Sequence, residues 1–199
     1  MKLGFFALLP LLPLLLVVPA LAAPPSAAPP LQPLLDAVPS GGVLRLAPGR
    51  YAGPAVVTRP LTLDGGGQAI IDAGGRGTVL TLRTSGAQIR GLVLSGSGET
   101  HDGLDAGLQI EGDDNLVEDN VFVDTLFGIH LRQGNRNRVL RNRVHGKDLP
   151  LGLRGDGLRL WNSRHNRVEG NEFRRVRDLT LTNSPDNQIV ANRLDDARY

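Results

Sequence analysis

Two histidines and two aspartates have side chains that could coordinate a metal ion. His101 and Asp102 lie in one segment of twelve residues, 95–106, and His145 and Asp148 lie in another, 145–156. Imidazole nitrogens suit copper or zinc, and carboxylates can complete such a ligand set. We predict that the two segments form a binding surface able to hold a transition metal such as copper. The alternative is that both are solvated loops whose charges keep the surface soluble.

A repeated pattern of paired asparagines must position these segments. Two asparagines five residues apart occur four times, beginning at Asn115, Asn137, Asn166 and Asn187. The intervals between copies are 22, 29 and 21 residues (137−115, 166−137 and 187−166). A period of about 21–22 residues with one insertion of about seven is typical of a solenoid.

Alternation of apolar and polar residues identifies the type of solenoid. Apolar residues recur at equivalent positions inside the repeats: Val117, Val139, Val168 and Ile189, then Phe122, Val144, Phe173 and Leu194. A second strand recurs at 107–110, 128–131, 157–160 and 178–181. We predict an all-β fold, a right-handed single-stranded parallel β-helix with two short strands per coil and coils about 4.8 Å apart. The asparagines are predicted to take left-handed backbone geometry at tight turns and to bond to the amides of neighbouring coils.

The two candidate segments are insertions at one corner of this coil. The equivalent connections hold five residues at 123–127 and four at 174–177, against twelve at 95–106 and at 145–156. Insertions in a solenoid map to loops on one face, often the binding face. One ordinary coil separates the two, so their bases are predicted to lie about 10 Å apart. His130 falls in an outward column with Gln109, Arg159 and Thr180, and we predict that it is an ordinary surface residue.

The N-terminus has the pattern of a secretory signal peptide. Lys2 precedes an apolar run over 3–18, and Ala20-Leu-Ala22 supplies small residues for cleavage near Ala22. We therefore predict a signal peptide over 1–22, a Pro/Ala-rich linker over 23–33 and a β-helix domain over 34–199. Secretion predicts a periplasmic protein with no direct membrane insertion after the signal peptide is removed.

Composition excludes several classes of function. The 199 residues contain no cysteine, which excludes disulfides and thiolate metal sites. The formal net charge is only +2, although Lys and Arg number 22, and this balance argues against a nucleic-acid partner.

The alternative function is a carbohydrate-binding or polysaccharide-degrading β-helix protein similar to pectate lyases. Such enzymes need clustered carboxylates, sometimes with a basic residue that accepts a proton. The nearest candidate is Asp113-Asp114, but it directly precedes Asn115 in the repeated turn. We assign no catalytic residue and predict that the protein is not an enzyme.

Three segments of the repeat have a familiar sequence, at 104–110, 120–131 and 155–163. They resemble the NosD family, periplasmic β-helical maturation proteins of nitrous oxide reductase. The resemblance covers essentially the whole chain after the signal peptide and is most specific at Leu126-Phe-Gly-Ile129 and Leu160-Trp-Asn-Ser163. It implies an accessory protein of denitrification that works with the membrane and ATPase subunits of an ABC transporter. Nitrous oxide reductase would be the other partner, and delivery of copper, with sulfide as a further candidate, would be the task. Family members continue for further coils, so we expect the domain to be truncated at its C-terminal end.

Overall fold

The computed structural model describes residues 28–198, and over this range the chain winds into a parallel β-helix. The predicted signal peptide and residues 23–27 of the predicted linker lie outside the described residues. The elements are α1 (Gln32–Asp36), β1 (Val43–Arg45), β2 (Gly49–Ala52), β3 (Ala55–Val57), β4 (Thr62–Asp72), β5 (Leu80–Leu82), β6 (Gln88–Ser95), β7 (Ala106–Ile110), β8 (Leu116–Glu118), β9 (Val121–Thr125), β10 (Phe127–Arg132), β11 (Arg138–Leu140), β12 (Arg143–Gly146), a 3-10 helix (Leu151–Leu153), β13 (Leu158–Trp161), β14 (Arg167–Glu169), β15 (Glu172–Arg174), β16 (Leu179–Thr182), β17 (Gln188–Val190) and β18 (Arg193–Asp195).

The strands stack into three parallel faces. Face 1 consists of β1, the first part of β4 and β6, then β8, β11, β14 and β17. Face 2 consists of β2, the second part of β4 and β6, then β9, β12, β15 and β18. Face 3 consists of β3, β5, β7, β10, β13 and β16. Most coils therefore have three strands, where two were predicted. The predicted single strand of each asparagine repeat is broken in two because a left-handed residue, such as Arg141 with φ 52°, turns the chain directly before the second asparagine.

Apolar columns from the three faces fill the interior of the coil. Val117, Val139 and Val168 pair in register across neighbouring coils, and none of them has exposed surface. The aromatic rings of Phe122 and Phe173 lie in the same way on face 2, on either side of Val144. The predicted inward columns are confirmed for these residues, whereas Ile189 and Leu194, the last members of the two columns, are 37% and 44% exposed. Because each coil buries its apolar residues only against its two neighbours, stability depends on keeping this register.

Two ladders of asparagine side chains run along the coil axis. The Oδ1 atom of Asn142 accepts hydrogen bonds from the backbone N–H and the side-chain amide of Asn120, both at 3.0 Å. Its Nδ2 donates to the carbonyl of Val117 at 3.0 Å and to Oδ1 of Asn171 at 2.9 Å. The predicted ladders are confirmed, but the prediction of left-handed asparagines is wrong. The left-handed backbone angle belongs to the residue just before each asparagine. The asparagine side chain then points along the coil axis, where it bonds to the asparagine of the next coil.

A short helix covers one edge of face 3. In α1, the Gln32 side chain accepts a hydrogen bond from the backbone N–H of Val56 at 2.7 Å and donates to its carbonyl at 3.1 Å. Leu31, which the sequence places in the linker, has no exposed surface and packs into the core. The helix thus satisfies backbone groups of an edge strand that would otherwise be open to pairing with another chain. Over residues 28–198 no helix is long and apolar enough to span a membrane.

Candidate functional site

Two long loops leave the coil at one corner, between face 2 and face 3. Loop 1 spans 96–105 and loop 2 spans 147–157, with the short connection between β9 and β10 between them. Leu104 of loop 1 and Leu149 of loop 2 pack on one apolar cluster of Ala106, Leu126 and Phe127. The loops are therefore neighbours, as predicted.

A buried lysine also ties the two loops together. The ammonium group of Lys147 in loop 2 lies 3.3 Å from the carboxylate of Asp124 and 3.7 Å from that of Glu99 in loop 1. Only 7% of the lysine side chain is exposed, so the pair is shielded from solvent on the lysine side. This contact fixes the position of loop 2 against loop 1.

The four predicted metal ligands lie in different surroundings at this corner. The His101 ring packs edge-on against Phe127, with ring centroids 5.7 Å apart, and Asp102 lines a cleft on face 3. His145 is exposed on face 2, in register with Val123 and Arg174, and the carboxylate of Asp148 lies 2.9 Å from the guanidinium of Arg175. Among residues 28–198, no three histidine, aspartate or glutamate side chains are grouped so that they could hold a metal ion. Metal binding by these four residues stays a prediction.

A cleft of about 380 Å³ lies on the outer surface of face 3, beside loop 1. The outward positions of β7, β10 and β13 form its floor, because Gln109, His130 and Arg159 are in register across the three strands. The next outward row contributes Arg132 and Trp161, which are also in register. Loop 1 supplies the opposite rim with residues 102–104. The volume of the cleft is at the lower end of the range for small-molecule sites, roughly 300–1,000 Å³.

The glycines at the start of these strands allow the coils to approach each other. A Cβ atom at Gly128 would lie 2.2 Å from the carbonyl oxygen of Gly157 and 2.6 Å from the Val144 side chain. No side chain other than hydrogen fits there without a shift of the backbone. The glycine column therefore keeps β10 close to its neighbours and His130 level with Arg159.

His130 is buried, although the sequence analysis predicted an ordinary surface residue. The column with Gln109, Arg159 and Thr180 is confirmed, but only 2% of His130 is exposed. Neither ring nitrogen has a hydrogen-bond partner among the described residues. The prediction is wrong because strand alternation identifies an outward position but not a loop that folds back beside it, and loop 1 brings residues 102–104 to this place.

The imidazole of His130 is neutral at neutral pH. Burial lowers its pKa to about 4, and the charges of Arg159 and Arg132 act in the same direction. The carboxylates of Glu111 and Asp156 oppose this shift without cancelling it. A neutral imidazole offers one N–H donor and one nitrogen acceptor. The floor of the cleft can thus both donate and accept a hydrogen bond.

Two arginines beside His130 are only loosely paired. The Arg159 guanidinium lies 3.6 Å from the carboxylate of Asp156, which also accepts hydrogen bonds from Arg177 and Thr180, each at 2.9 Å. The buried Nε atom of Arg159 has no partner within residues 28–198.

Arg132 is held even more loosely at the edge of the cleft. Its guanidinium lies 3.7 Å from Glu111 and 5.9 Å from the centre of the Trp161 ring. Glu111 also accepts from Arg83 at 3.2 Å and from Gln109 at 2.5 Å, so it has other partners if Arg132 moves. The guanidinium groups therefore have donors left for a further partner.

The aspartate pair nearest to a catalytic arrangement is engaged in the coil. The Asp113 carboxylate accepts from the backbone N–H of Asn135 at 2.8 Å, and the Asp114 carboxylate accepts from Arg136 at 2.9 Å. The hydrogen bond from Arg136 holds the pKa of Asp114 below its usual value. Both carboxylates thus serve the contact between adjacent coils at this turn.

Comparison with known proteins gives a family and one relative. A family model described as the right-handed beta helix region matches residues 77–199. A curated protein of Pseudomonas aeruginosa, described as "Probable ABC transporter binding protein NosD", is 34% identical over 136 residues, which cover 67% of this chain and 32% of the relative. The chain thus spans about a third of the length of the curated relative it matches.

Proposed function

The chain belongs to the right-handed β-helix family, and on this premise we propose that this NosD-like protein is a non-catalytic accessory protein that binds an ABC transporter. The observation that carries the proposal is the corner where the two loops meet. Loop 2 contains the 3-10 helix, whose Leu151 and Leu153 are 41% and 57% exposed. Exposed apolar side chains with a charged rim are typical of a protein interface.

The charged rim of this corner comes from both loops. The Glu99 side chain in loop 1 is 71% exposed and that of Asp148 in loop 2 is 91% exposed. These carboxylates suit a partner surface with basic residues around an apolar centre, since complementary charges at the rim orient the two proteins before contact. The loops are held together by Lys147, so the partner would meet a fixed surface.

None of the shifted carboxylate pKa values has the upward direction that is expected of a general acid. A general acid or base works best with a pKa near the working pH. The carboxylates whose pKa is shifted, Asp64, Asp114, Glu169 and Asp196, are all shifted downward. For Asp64 the main cause is a backbone hydrogen bond from Gly66, and for the others it is a side-chain hydrogen bond from an arginine. Each group is therefore a stable anion that stabilises the coil.

The finer part of the proposal concerns location and task. The protein acts in the periplasm, with the transporter's membrane and ATPase subunits, in assembly of the copper centre of nitrous oxide reductase. Copper would be cargo, held by His101 and His145 with Asp102 and Asp148 as oxygen ligands. The description of the relative supports the transporter partner. The meeting of the two loops supports the copper ligands, since loop 1 carries His101 and Asp102, loop 2 carries Asp148, and His145 lies at the end of β12 just before loop 2.

Co-purification tests the transporter partner. The chain and the ABC transporter subunits of the same organism would be expressed together and isolated through a tag on the ATPase subunit. Leu151→Ser/Leu153→Ser is expected to reduce recovery of the chain at least tenfold. The control is Val43→Ser, since Val43 is 54% exposed on β1 and far along the chain from loop 2. Equal recovery of the unchanged chain, the double leucine variant and the Val43→Ser control would contradict docking through this corner.

Copper titration tests the metal ligands separately. Cu(I) and Cu(II) are added to the purified chain, to a His101→Ala/His145→Ala variant and to a His165→Ala control, whose histidine is exposed at an asparagine turn. We expect saturable binding that only the double variant loses. Unchanged binding in that variant would exclude these two histidines as copper ligands. It would not bear on the proposal that the chain binds an ABC transporter.

A further inference from the structure

The floor of the cleft on face 3 holds most of the unpartnered buried polar atoms of the molecule. Among residues 28–198, four buried side-chain nitrogen or oxygen atoms have no hydrogen-bond partner. Three of these four lie here: Nδ1 and Nε2 of His130 and Nε of Arg159. Buried polar groups are almost always paired, and an exception needs an explanation. A bound ligand that pairs with these atoms is such an explanation.

The charges around the cleft favour an anion. Arg132 and Arg159 both line it, and Asp102, at the exposed rim, is the only carboxylate among the lining residues. The carboxylates closest to the two arginines, Glu111 and Asp156, each contact a second arginine as well, Arg83 at 3.2 Å and Arg177 at 2.9 Å. The positive charge facing the cleft is therefore not fully balanced. Guanidinium groups bind carboxylates and other oxyanions through paired N–H donors.

The neutral imidazole adds a second requirement. One of its nitrogens donates, but the other can only accept, and an anion without hydrogen donors leaves that nitrogen unpaired. A ligand that satisfies the whole floor carries an oxyanion and, next to it, a hydrogen-bond donor, and a hydroxyl group is the simplest donor that adds no charge. The apolar ring of Trp161 bounds the cleft on the side of Arg132 and suits a short carbon skeleton.

We propose that this cleft is a binding site for a small hydroxycarboxylate anion. Its carboxylate accepts hydrogen bonds from Arg159 and Arg132. Its hydroxyl group donates to the free nitrogen of His130, while the imidazole N–H donates to a ligand oxygen. The floor of the site lies on the face 3 strands, which carry His130, Arg132 and Arg159, whereas the exposed leucines of the docking corner lie in loop 2. The two places meet at loop 1, whose residues 102–104 form the rim of the cleft.

Trp161 provides a direct readout of binding. It is the only tryptophan in the chain and it lines the cleft, so its fluorescence reports on this site alone. Malate and succinate form the critical pair of probes, since they differ only by one hydroxyl group, and sulfate is an oxyanion without any hydrogen donor. We expect a saturable change with malate, and at least tenfold weaker binding of succinate and of sulfate.

Variants locate the binding in the cleft. Arg159→Met and His130→Gln are each expected to weaken malate binding at least tenfold, whereas Arg164→Met, which removes an exposed arginine outside the cleft, should leave it unchanged. Arg132→Met serves if a buried variant fails to fold, because the Arg132 side chain is 53% exposed.

Three results would overturn the proposal. One is the absence of a saturable fluorescence change with malate up to about 50 mM, a concentration far above the roughly 1 mM dissociation constant of a weak site. Another is equal affinity for malate, succinate and sulfate, since that would mean a general anion site with no role for the imidazole acceptor. The third is unchanged malate binding in both Arg159→Met and Arg132→Met. None of these results depends on transporter docking or on copper.

Discussion

Two polar columns run along the same coil and each contains buried groups, yet one column is fully bonded and the other is not. In the asparagine ladder, the amide of Asn142 takes part in four hydrogen bonds with the coils on either side. On face 3, the ring of His130 is as deeply buried and takes part in none among the described residues. A regular coil can thus satisfy its polar groups completely, and the column that stays unsatisfied is the exception.

The difference follows from which residues repeat. An amide has both a donor and an acceptor, so identical asparagines bond to each other at the spacing of the coils. Gln109, His130 and Arg159 differ in length and in donor pattern, and they do not bond to one another. Gln109 instead donates to Glu111 at 2.5 Å along its own strand. A column of unlike residues therefore leaves polar groups available for a ligand.

The largest effect on stability is expected in the ladder. Asn142→Ala removes the Oδ1 atom that accepts from the backbone N–H and from the side-chain amide of Asn120. It also leaves the carbonyl of Val117 without its side-chain donor. We expect the free energy of unfolding to fall by about 3–5 kcal/mol, since buried donors and acceptors are left unpaired. Urea denaturation measures this, with Asn183→Gly as the control at an exposed left-handed position. A loss below about 1 kcal/mol would mean that the ladder is not what stabilises the coil.

The next largest effect is the dependence of stability on pH through His130. The unfolded histidine takes up a proton near pH 6.5, while the folded one does so only near pH 4. The unfolded state thus binds more protons between these values, and the free energy of unfolding falls as the pH is lowered from 6.5 to 4. The loss from this group is up to about 3 kcal/mol, because each pKa unit corresponds to about 1.4 kcal/mol.

His130→Gln provides the comparison for this pH effect. Urea denaturation of both proteins at pH 7.5, 5.5 and 4.5 should show curves that separate as the pH falls, with the variant losing less stability. Other groups that titrate are common to both proteins and cancel in the difference. Parallel curves would show that the imidazole takes up its proton at the same pH in the folded and the unfolded state, and the contrast with the ladder would then weaken.

A small effect on stability is expected from Arg159. Arg159→Met should change the free energy of unfolding by less than about 1 kcal/mol, since the Arg159 side chain is 29% exposed and its guanidinium lies as far as 3.6 Å from Asp156. Asp156 keeps its hydrogen bonds from Arg177 and Thr180. Thermal and urea denaturation of this variant beside Asn142→Ala compares the two columns directly. A loss as large as that of the ladder variant would make Arg159 a structural residue.

The smallest effect is expected for exposed ion pairs between coils. The Arg141 guanidinium lies 2.8 Å from Glu118 and 2.9 Å from Asp119, but its side chain is 55% exposed. Arg141→Met should shift the melting temperature by no more than about 2 °C, and the shift should vanish in 1 M salt because exposed pairs are screened. A larger shift that survives high salt would show that surface pairs help to hold the coils in register.

Much of the fold could be predicted because the same sequence pattern occurs in several successive coils. Val117, Val139 and Val168 occupy equivalent positions, and so do the asparagines, which makes both the inward columns and the ladders visible in the sequence. The corner occupied by the two long loops was predictable for the same reason. Repetition was less informative about the number of strands in each coil. The turn that divides the strand before Asn142 comes from the left-handed backbone angle of Arg141, and arginine has no preference for that angle.

The cleft could not be predicted, because it depends on contacts between different coils. Alternation along β10 correctly places His130 outward, but its burial comes from loop 1 of the preceding coil. The sequence pattern also placed His101 and His145 on neighbouring loops without showing that one packs on Phe127 and the other lies on face 2. Residues that depart from a repeat are thus easily found, whereas their surroundings are set by packing.

The register of the coils is independent of their length. Successive second asparagines are separated by 22, 29 and 21 residues, yet their side chains bond at 3.0, 2.9 and 2.9 Å. The longer coil places its additional residues in loop 2 and leaves the strands before and after it paired as in the shorter coils. The scaffold can therefore accept a change in the length of this loop without a change in its strands. The same property makes the exposed segment 150–153 a natural position for grafting foreign peptides in protein engineering.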